Sequence, residues 1–324
     1  MHKIPVGVLG ASGYAGRELC MLAERHPALK LVFTTAHEQR GQELQVGGRK
    51  LKFIATDDAR LEDAELVFSA LPHGASAQWV ARCRAAGAMV VDLSADLRPG
   101  GAEVRLPTPP IPYGLTELMR AEVKGAGVVA NPGCYPTAIL LALAPLLSLG
   151  LLEADSTISV TAASGVTGAG YTLRPELLFA EVAEDFRAYA VDNNHRHLDE
   201  MTAVIRDLGA ENDLVFTPHL LPVARGILAT IIVRLCDAPR DPLAIWAEAY
   251  AGEPFIEVRP ETPSIRDVVR RNVVRISAAV AENVRHPTLI ITSAIDNLMK
   301  GAAGQAVQNA NVMLGLDETL GLPA

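Results

Sequence analysis

A chain of 324 residues with 49% hydrophobic and 20% charged residues can fill about two packed domains and carries too little charge for a disordered one. Its formal net charge of -8, with no basic run, argues against nucleic acid as a partner and leaves room for a local site that takes a phosphorylated small molecule. The four cysteines Cys20, Cys83, Cys134 and Cys236 lie far apart, form no metal-ligand spacing and fit a reducing compartment.

Met1-His2-Lys3-Ile4-Pro5 runs straight into an apolar strand without a signal-peptide core. The most apolar stretch, Ala138 to Leu152, is interrupted by Pro145, Ser148 and Gly150, which predicts a buried helix rather than a membrane span. The expected setting is cytoplasmic, with no membrane partner.

Val6 to Leu9 reads as a buried strand and Arg17 to Arg25 as an amphipathic helix. Between them lies Gly10-Ala11-Ser12-Gly13-Tyr14-Ala15-Gly16, a G-x-x-G-x-x-G loop in the strand-to-helix setting that binds the pyrophosphate of a dinucleotide. The next strand, Leu29 to Thr35, ends without the acidic residue that an NAD ribose prefers. His37 and Arg40 follow, with Glu38 between them, and this favours NADP. Strands at Glu65 to Leu71, Ala88 to Leu93 and Gly127 to Ala130, separated by helical segments such as Gly74 to Ala86, predict a right-handed parallel sheet. The loops at Leu71 to Gly74 and Leu93 to Arg98 should converge with the glycine loop at the carboxyl edge of that sheet.

Asn131-Pro132-Gly133-Cys134-Tyr135-Pro136-Thr137 turns the chain from the last of these strands into a helix expected to start at Pro136 and to kink before Pro145. Cys134 then sits near a helix N-terminus, where unpaired amides and the macrodipole favour an attacking thiolate; the alternative is a small apolar residue filling a corner. A strand at Ser156 to Ala162 leads to the small-residue loop Ala163 to Gly170, which suits close approach to a ligand. His195 and His197 stand at i and i+2, a spacing that puts both on one side only in extended chain. They read as an acid/base pair, a metal pair without a third ligand, or surface residues. His219 is either a core histidine or a site residue, and Arg225, just before the strand Ile227 to Leu235, is a carboxylate or phosphate clamp. The segment from Asp296 to Ala306 opens a small-residue helix expected to return to the first domain.

GASGYAGREL, DLSADLR, NPGCYPTAILLAL, SGVTGAG, FTPHLLPVARGI and IDNLMKGAAGQAVQN together resemble the N-acetyl-gamma-glutamyl-phosphate reductase family, relatives of aspartate-semialdehyde dehydrogenase. The resemblance implies an α/β protein: a Rossmann-type parallel-sheet domain over residues 1-133, with helix 298-324 packing back on it, and an α+β substrate and oligomerisation domain over 134-297. It implies a homodimer or homotetramer using NADP, an acyl-phosphate substrate in arginine biosynthesis, and no metal. It assigns Cys134 as the acylated nucleophile and His195 or His197 as acid/base. Arg98, His219 and Arg225 fall on the substrate side. Gly10, Ser12, Gly13, Tyr14, Ala15, Gly16, Ser164, Gly165 and Asn297 fall on the cofactor side. The chain departs from the family pattern at Asp199, where proline is usual, at Leu97, where an aromatic is usual, and at Val268-Val269-Arg270-Arg271-Asn272, where the pattern is V-x-G-[ST]-N. The competing readings are the same chemistry on another acyl phosphate, carrier-bound aminoadipyl or aspartyl, and a non-catalytic NADP-sensing protein.

Overall fold

The computed structural model describes residues 3–100 and 110–324; Met1 and His2, where the N-terminal reading begins, lie outside them. The chain divides into two compact units, one of Met1–Gly133 with Ala302–Pro323 and one of Cys134–Gly301 with Ala324. Among the described residues no helix is long and apolar enough to cross a membrane.

The first unit contains β1 (Ile4–Leu9), α1 (Tyr14–Arg25), β2 (Leu29–Thr34), the hairpin β3 (Glu43–Val46) and β4 (Arg49–Lys52), β5 (Leu66–Ser69), α2 (Ser76–Ala85), β6 (Met89–Asp92), α3 (Thr116–Val123) and β7 (Val128–Ala130). Five of these strands form a parallel sheet in the order β2-β1-β5-β6-β7. Its strands are apolar on both faces. Leu9, Val67 and Val90 pack with Trp79, Val80 and Cys83 of α2, while Val8, Leu66, Phe68 and Val91, of the opposite parity, are also fully buried. The strand order reverses between β1 and β5, which opens the crevice where such sheets take ligands.

The second unit begins with α4 (Cys134–Ser148) and continues through β8 (Ile158–Gly165), α5 (Phe179–Val182), β9 (Arg187–Ala188), α6 (Leu198–Asp207), β10 (Leu214–Leu221), β11 (Ile227–Arg234), α7 (Pro242–Ala249), β12 (Ile256–Val258), β13 (Val274–Val280) and β14 (Thr288–Ile295). Seven strands form one mixed sheet in the order β12-β13-β14-β11-β8-β10-β9. Helices α4, α6 and α7 pack against this sheet. Residues facing away from them remain open: Val215, Ile232 and Ile290 are 43%, 42% and 37% exposed. Pairing places Val215 beside Ser159, Ser159 beside Ile232 and Ile232 beside Ile290, in one row across four strands.

Helix α4 starts at Cys134, two residues before the expected Pro136, so Pro136 falls in its first turn, where a missing N–H costs no internal bond. Pro145 lies within the helix and cannot donate to the Leu141 carbonyl; Tyr250 Oη supplies that bond at 2.6 Å. Trp246 Nε1 donates to Ala142 O at 2.9 Å and Ser293 Oγ to Ala138 O at 2.8 Å, so polar groups from α7 and β14 hold an otherwise apolar helix in register.

The chain re-enters the first unit through a π-helical turn, Met299–Ala303, and ends in α8 (Gly304–Met313), all ten residues of which are buried. Asn309 donates to Gly114 O and to Asn131 Oδ1, Thr116 Oγ1 donates to Asn309 Oδ1, and Gln305 donates to Gly114 O, so buried amides tie α8 to the start of α3.

Candidate active site

In the first unit the glycine loop is bound tightly by its own fold. Gly10 has φ +73°, and a Cβ there would stand 2.4 Å from Ala70 O; one on Gly16 would stand 2.3 Å from Gly10 O. Gly13, the N-cap of α1, is different: a Cβ there would meet only Gly10 O, at 3.8 Å, and no side chain caps the helix. The fold therefore leaves open space at this helix N-terminus, as an incoming phosphate requires. Ser12, Tyr14 and Ala15 complete the loop. The Arg17 guanidinium donates to Ser12 O at 2.9 Å and to Gln39 Oε1 at 3.1 Å, next to the turn that exposes His37, Glu38 and Arg40. This cation was missed in the sequence because it reads as part of an amphipathic helix.

The two other loops do meet. Asp96 accepts from the Gly74, Ser76 and Ala77 amides at 2.6–3.1 Å, and His73 Nδ1 accepts from Ala95 N at 2.8 Å. Asp92 lies fully buried beneath them and accepts from Ser76 Oγ and Ser94 Oγ at 2.6 and 2.7 Å. Burial pushes its carboxyl upward, against the pull of those hydroxyls and of Arg98. Arg98, 8% exposed, is held by Asn131 O at 2.8 Å and Leu93 O at 2.6 Å.

In the second unit Cys134, half-buried as the first residue of α4, lines a cavity of about 460 Å³ with Tyr135, Ser164, Gly165, His195 and His197. None of the other cysteines shares this setting. Burial pushes the Cys20 and Cys83 thiols up to about 12 and about 11, and Cys236 is exposed and donates to Leu152 O. The histidines come together through a turn, not through extended chain as their spacing required: His197 is the N-cap of α6 in helical conformation, and the two ring centroids are 4.9 Å apart. The His197 amide donates to His195 Nδ1 at 3.1 Å, which places the proton of a neutral His195 ring on Nε2. Burial, reinforced by the Arg196 charge, lowers His195 from 6.5 to about 4, so it is neutral at physiological pH.

Tyr135 packs edge-on against both histidines and Phe216, with centroids 5.6, 6.1 and 5.0 Å away, and its hydroxyl lies 3.2 Å from that of Tyr189. Burial pushes both phenols upward, so they remain hydrogen-bonding hydroxyls. Arg174, Arg187 and Arg196 line the same cavity with Glu176; Arg187 is paired with Asp185, and the remaining excess of positive charge suits an anionic ligand. Arg174, Arg187 and Tyr189 went unread because they lie in a stretch of short turns without periodicity.

The remaining sequence candidates lie elsewhere. His219 is on β10 outside the lining of this cavity, with its ring stacked on Phe186 at 5.0 Å and Nδ1 3.2 Å from Thr217 O. Arg225 lines a separate groove and pairs with Asp296 at 3.4 Å. Asn297 uses both ends of its amide within the unit: Oδ1 accepts from Gly226 N at 2.8 Å and Nδ2 donates to Thr167 Oγ1 at 2.9 Å.

Residues 5–126 match the semialdehyde dehydrogenase NAD binding domain and residues 134–297 the semialdehyde dehydrogenase dimerisation domain. The chain is 45% identical to the N-acetyl-gamma-glutamyl-phosphate reductase of Salinispora arenicola, over 99% of this chain and 98% of that protein. It is 42% identical to the protein of the same name from Geobacter sulfurreducens, over 98% of each. Aspartate semialdehyde dehydrogenase II from Vibrio cholerae superposes with a TM-score of 0.76 at 19% identity, covering 97% of this chain and 99% of that one. The Candida albicans aspartate semialdehyde dehydrogenase solved with NADP gives 0.70 at 15% identity, covering 96% of this chain and 98% of that one. At these identities the structural likeness bears on the fold alone.

Because His195 is neutral in the fold down to about 4 but protonates near 6.5 when unfolded, its contribution to stability is fully present above about 6.5 and is lost as pH falls toward about 4. His195→Gln should therefore reduce the fall in melting temperature between those two pH values; an unchanged fall would contradict the assignment.

Proposed function

Because the chain belongs to the N-acetyl-gamma-glutamyl-phosphate reductase family of semialdehyde dehydrogenases, we propose that it reduces N-acetyl-gamma-glutamyl phosphate with NADPH to N-acetylglutamate 5-semialdehyde and phosphate, in arginine biosynthesis. The observation that carries this reading is Cys134 at the head of α4, opening into a cavity shared with His195, His197 and a basic rim.

Cys134 Sγ attacks the acyl carbon, the C–O bond to phosphate breaks, and a thioester forms on the enzyme. The positive end of α4 favours charge on the sulfur before attack and after it leaves. NADPH, when bound, supplies the hydride that turns the thioester into the aldehyde. The glycine loop, with Gly13 left open, is the cradle for its pyrophosphate, and His37, Arg40 and Arg17 lie on the side suited to a 2′-phosphate. Asn297 is assigned to the cofactor side, as the family resemblance implies, and Ser164 and Gly165 of the small-residue loop are assigned there with it. The histidines divide the proton work. With Nδ1 occupied, neutral His195 offers its Nε2 proton as a donor, and His197 is the candidate to take the thiol proton. Arg98 is assigned to the substrate phosphate, and Arg174 and Arg196 add charge complementarity around the thiol; Arg225 and His219, expected on the substrate side, lie outside the lining of the thiol cavity.

The second unit is a dimerisation domain by its family match. We infer a cytoplasmic homo-oligomer, dimer or tetramer, in which a second copy covers the open sheet row of Val215, Ile232 and Ile290. Ile232→Asp should lower the mass measured by light scattering; a monomeric wild type, or an unchanged variant, would contradict this.

In the reverse direction the enzyme should reduce NADP⁺ with N-acetylglutamate 5-semialdehyde only when phosphate is present, and prefer that aldehyde to aspartate semialdehyde. Cys134→Ser should lower the rate by about three orders of magnitude or more while NADP⁺ binding stays nearly intact. Retained turnover in the variant, or a preference for aspartate semialdehyde, would overturn the proposal.

A further inference from the structure

A second concavity of the C-terminal unit, about 480 Å³ in volume, is lined by Arg225, Arg266 and Arg270 over an apolar floor that includes Ile265 and Val269. The local carboxylate compensates one of these three cations. Asp296, fully buried, pairs with Arg225 at 3.4 Å, and its oxygens also accept from the Arg270 amide at 2.7 Å and from the Leu298 and Met299 amides at 2.8 and 3.1 Å. Its effect is to fix the two arginine-bearing loops in place. Arg271, next in sequence, is consumed instead by Glu257 and the Asp267 carbonyl, so the charge of Arg270 is not part of that ion pair.

The backbone of Arg270 belongs to the same anchored loop. Arg270 has φ +67°, a left-handed conformation that costs an L residue energy and is normally given to glycine.

We propose that this groove is an anion site separate from the thiol cavity, taking a small molecule that carries two oxyanion groups, phosphate or carboxylate, with the guanidinium forks of Arg266 and Arg270 as its donors beside the Asp296-paired Arg225. The site adjoins the loop that walls the thiol cavity: Thr167 Oγ1 donates to Ala224 O at 2.7 Å and Val166 N to Val223 O at 2.9 Å, while Ser164, Gly165 and Gly168 line the cavity itself.

Inorganic pyrophosphate, titrated calorimetrically at constant ionic strength with saturating NADP⁺, is the probe. The wild type should bind it, and Arg266→Ala with Arg270→Gly should weaken binding at least tenfold without raising KM for the aldehyde substrate. Arg270→Gly alone relieves the strained backbone, so it should fold at least as stably as wild type and still bind more weakly. Unchanged affinity in either variant, or a KM that rises in step with lost affinity, would overturn the assignment.

Discussion

Everything chemical in the second unit depends on one constraint: α4 is apolar on every side. Its residues from Tyr135 to Leu147 are all buried, so it has no solvent face and must lie at the centre of its unit. A helix so placed can offer a side chain to a cavity only at an end. Asn131-Pro132-Gly133 makes the turn, and the first helical residue is a cysteine. The same burial makes Pro145 tolerable, because Tyr250 is packed closely enough to take the carbonyl that the proline leaves.

Around that fixed thiol the cavity sets its histidines by local bonding rather than by periodicity. The His197 amide orients the His195 ring, Tyr135 packs against both, and its phenol is linked to Tyr189 from the irregular stretch before them. Desolvation keeps His195 neutral, so a ring that would titrate near neutrality in water acts as a fixed donor here. The charges that suit an anionic substrate come mainly from arginines at the rim, where water can reach them.

Much of this was legible in the sequence where a short pattern has one physical meaning. The glycine loop, the parallel strands β1, β2, β5, β6 and β7, and the turn into α4 follow from apolar runs bounded by Gly and Pro. The start of α4 was misplaced by two residues because Pro at position 136 reads as a first helical residue, though any first-turn position tolerates it. Strand β10 has no strand signal in the sequence because Pro218 argues against one; the structure admits it beside the two-residue β9, close to a sheet edge. Strands β13 and β14 have β-branched content but no tight-turn signal between them to delimit them, so the open sheet face is not legible in the sequence. The histidine pair, Arg174, Arg187 and Tyr189 depend on tertiary folding of irregular chain, which spacing rules do not reach.

The account stands on covalent chemistry at Cys134. Enzyme mixed with N-acetyl-gamma-glutamyl phosphate in the absence of NADPH, quenched in acid and digested, should show by mass spectrometry an N-acetylglutamyl adduct on the peptide carrying Cys134, lost on treatment with hydroxylamine. An enzyme that turns over normally with no adduct there, or with the adduct on Cys236, would contradict it.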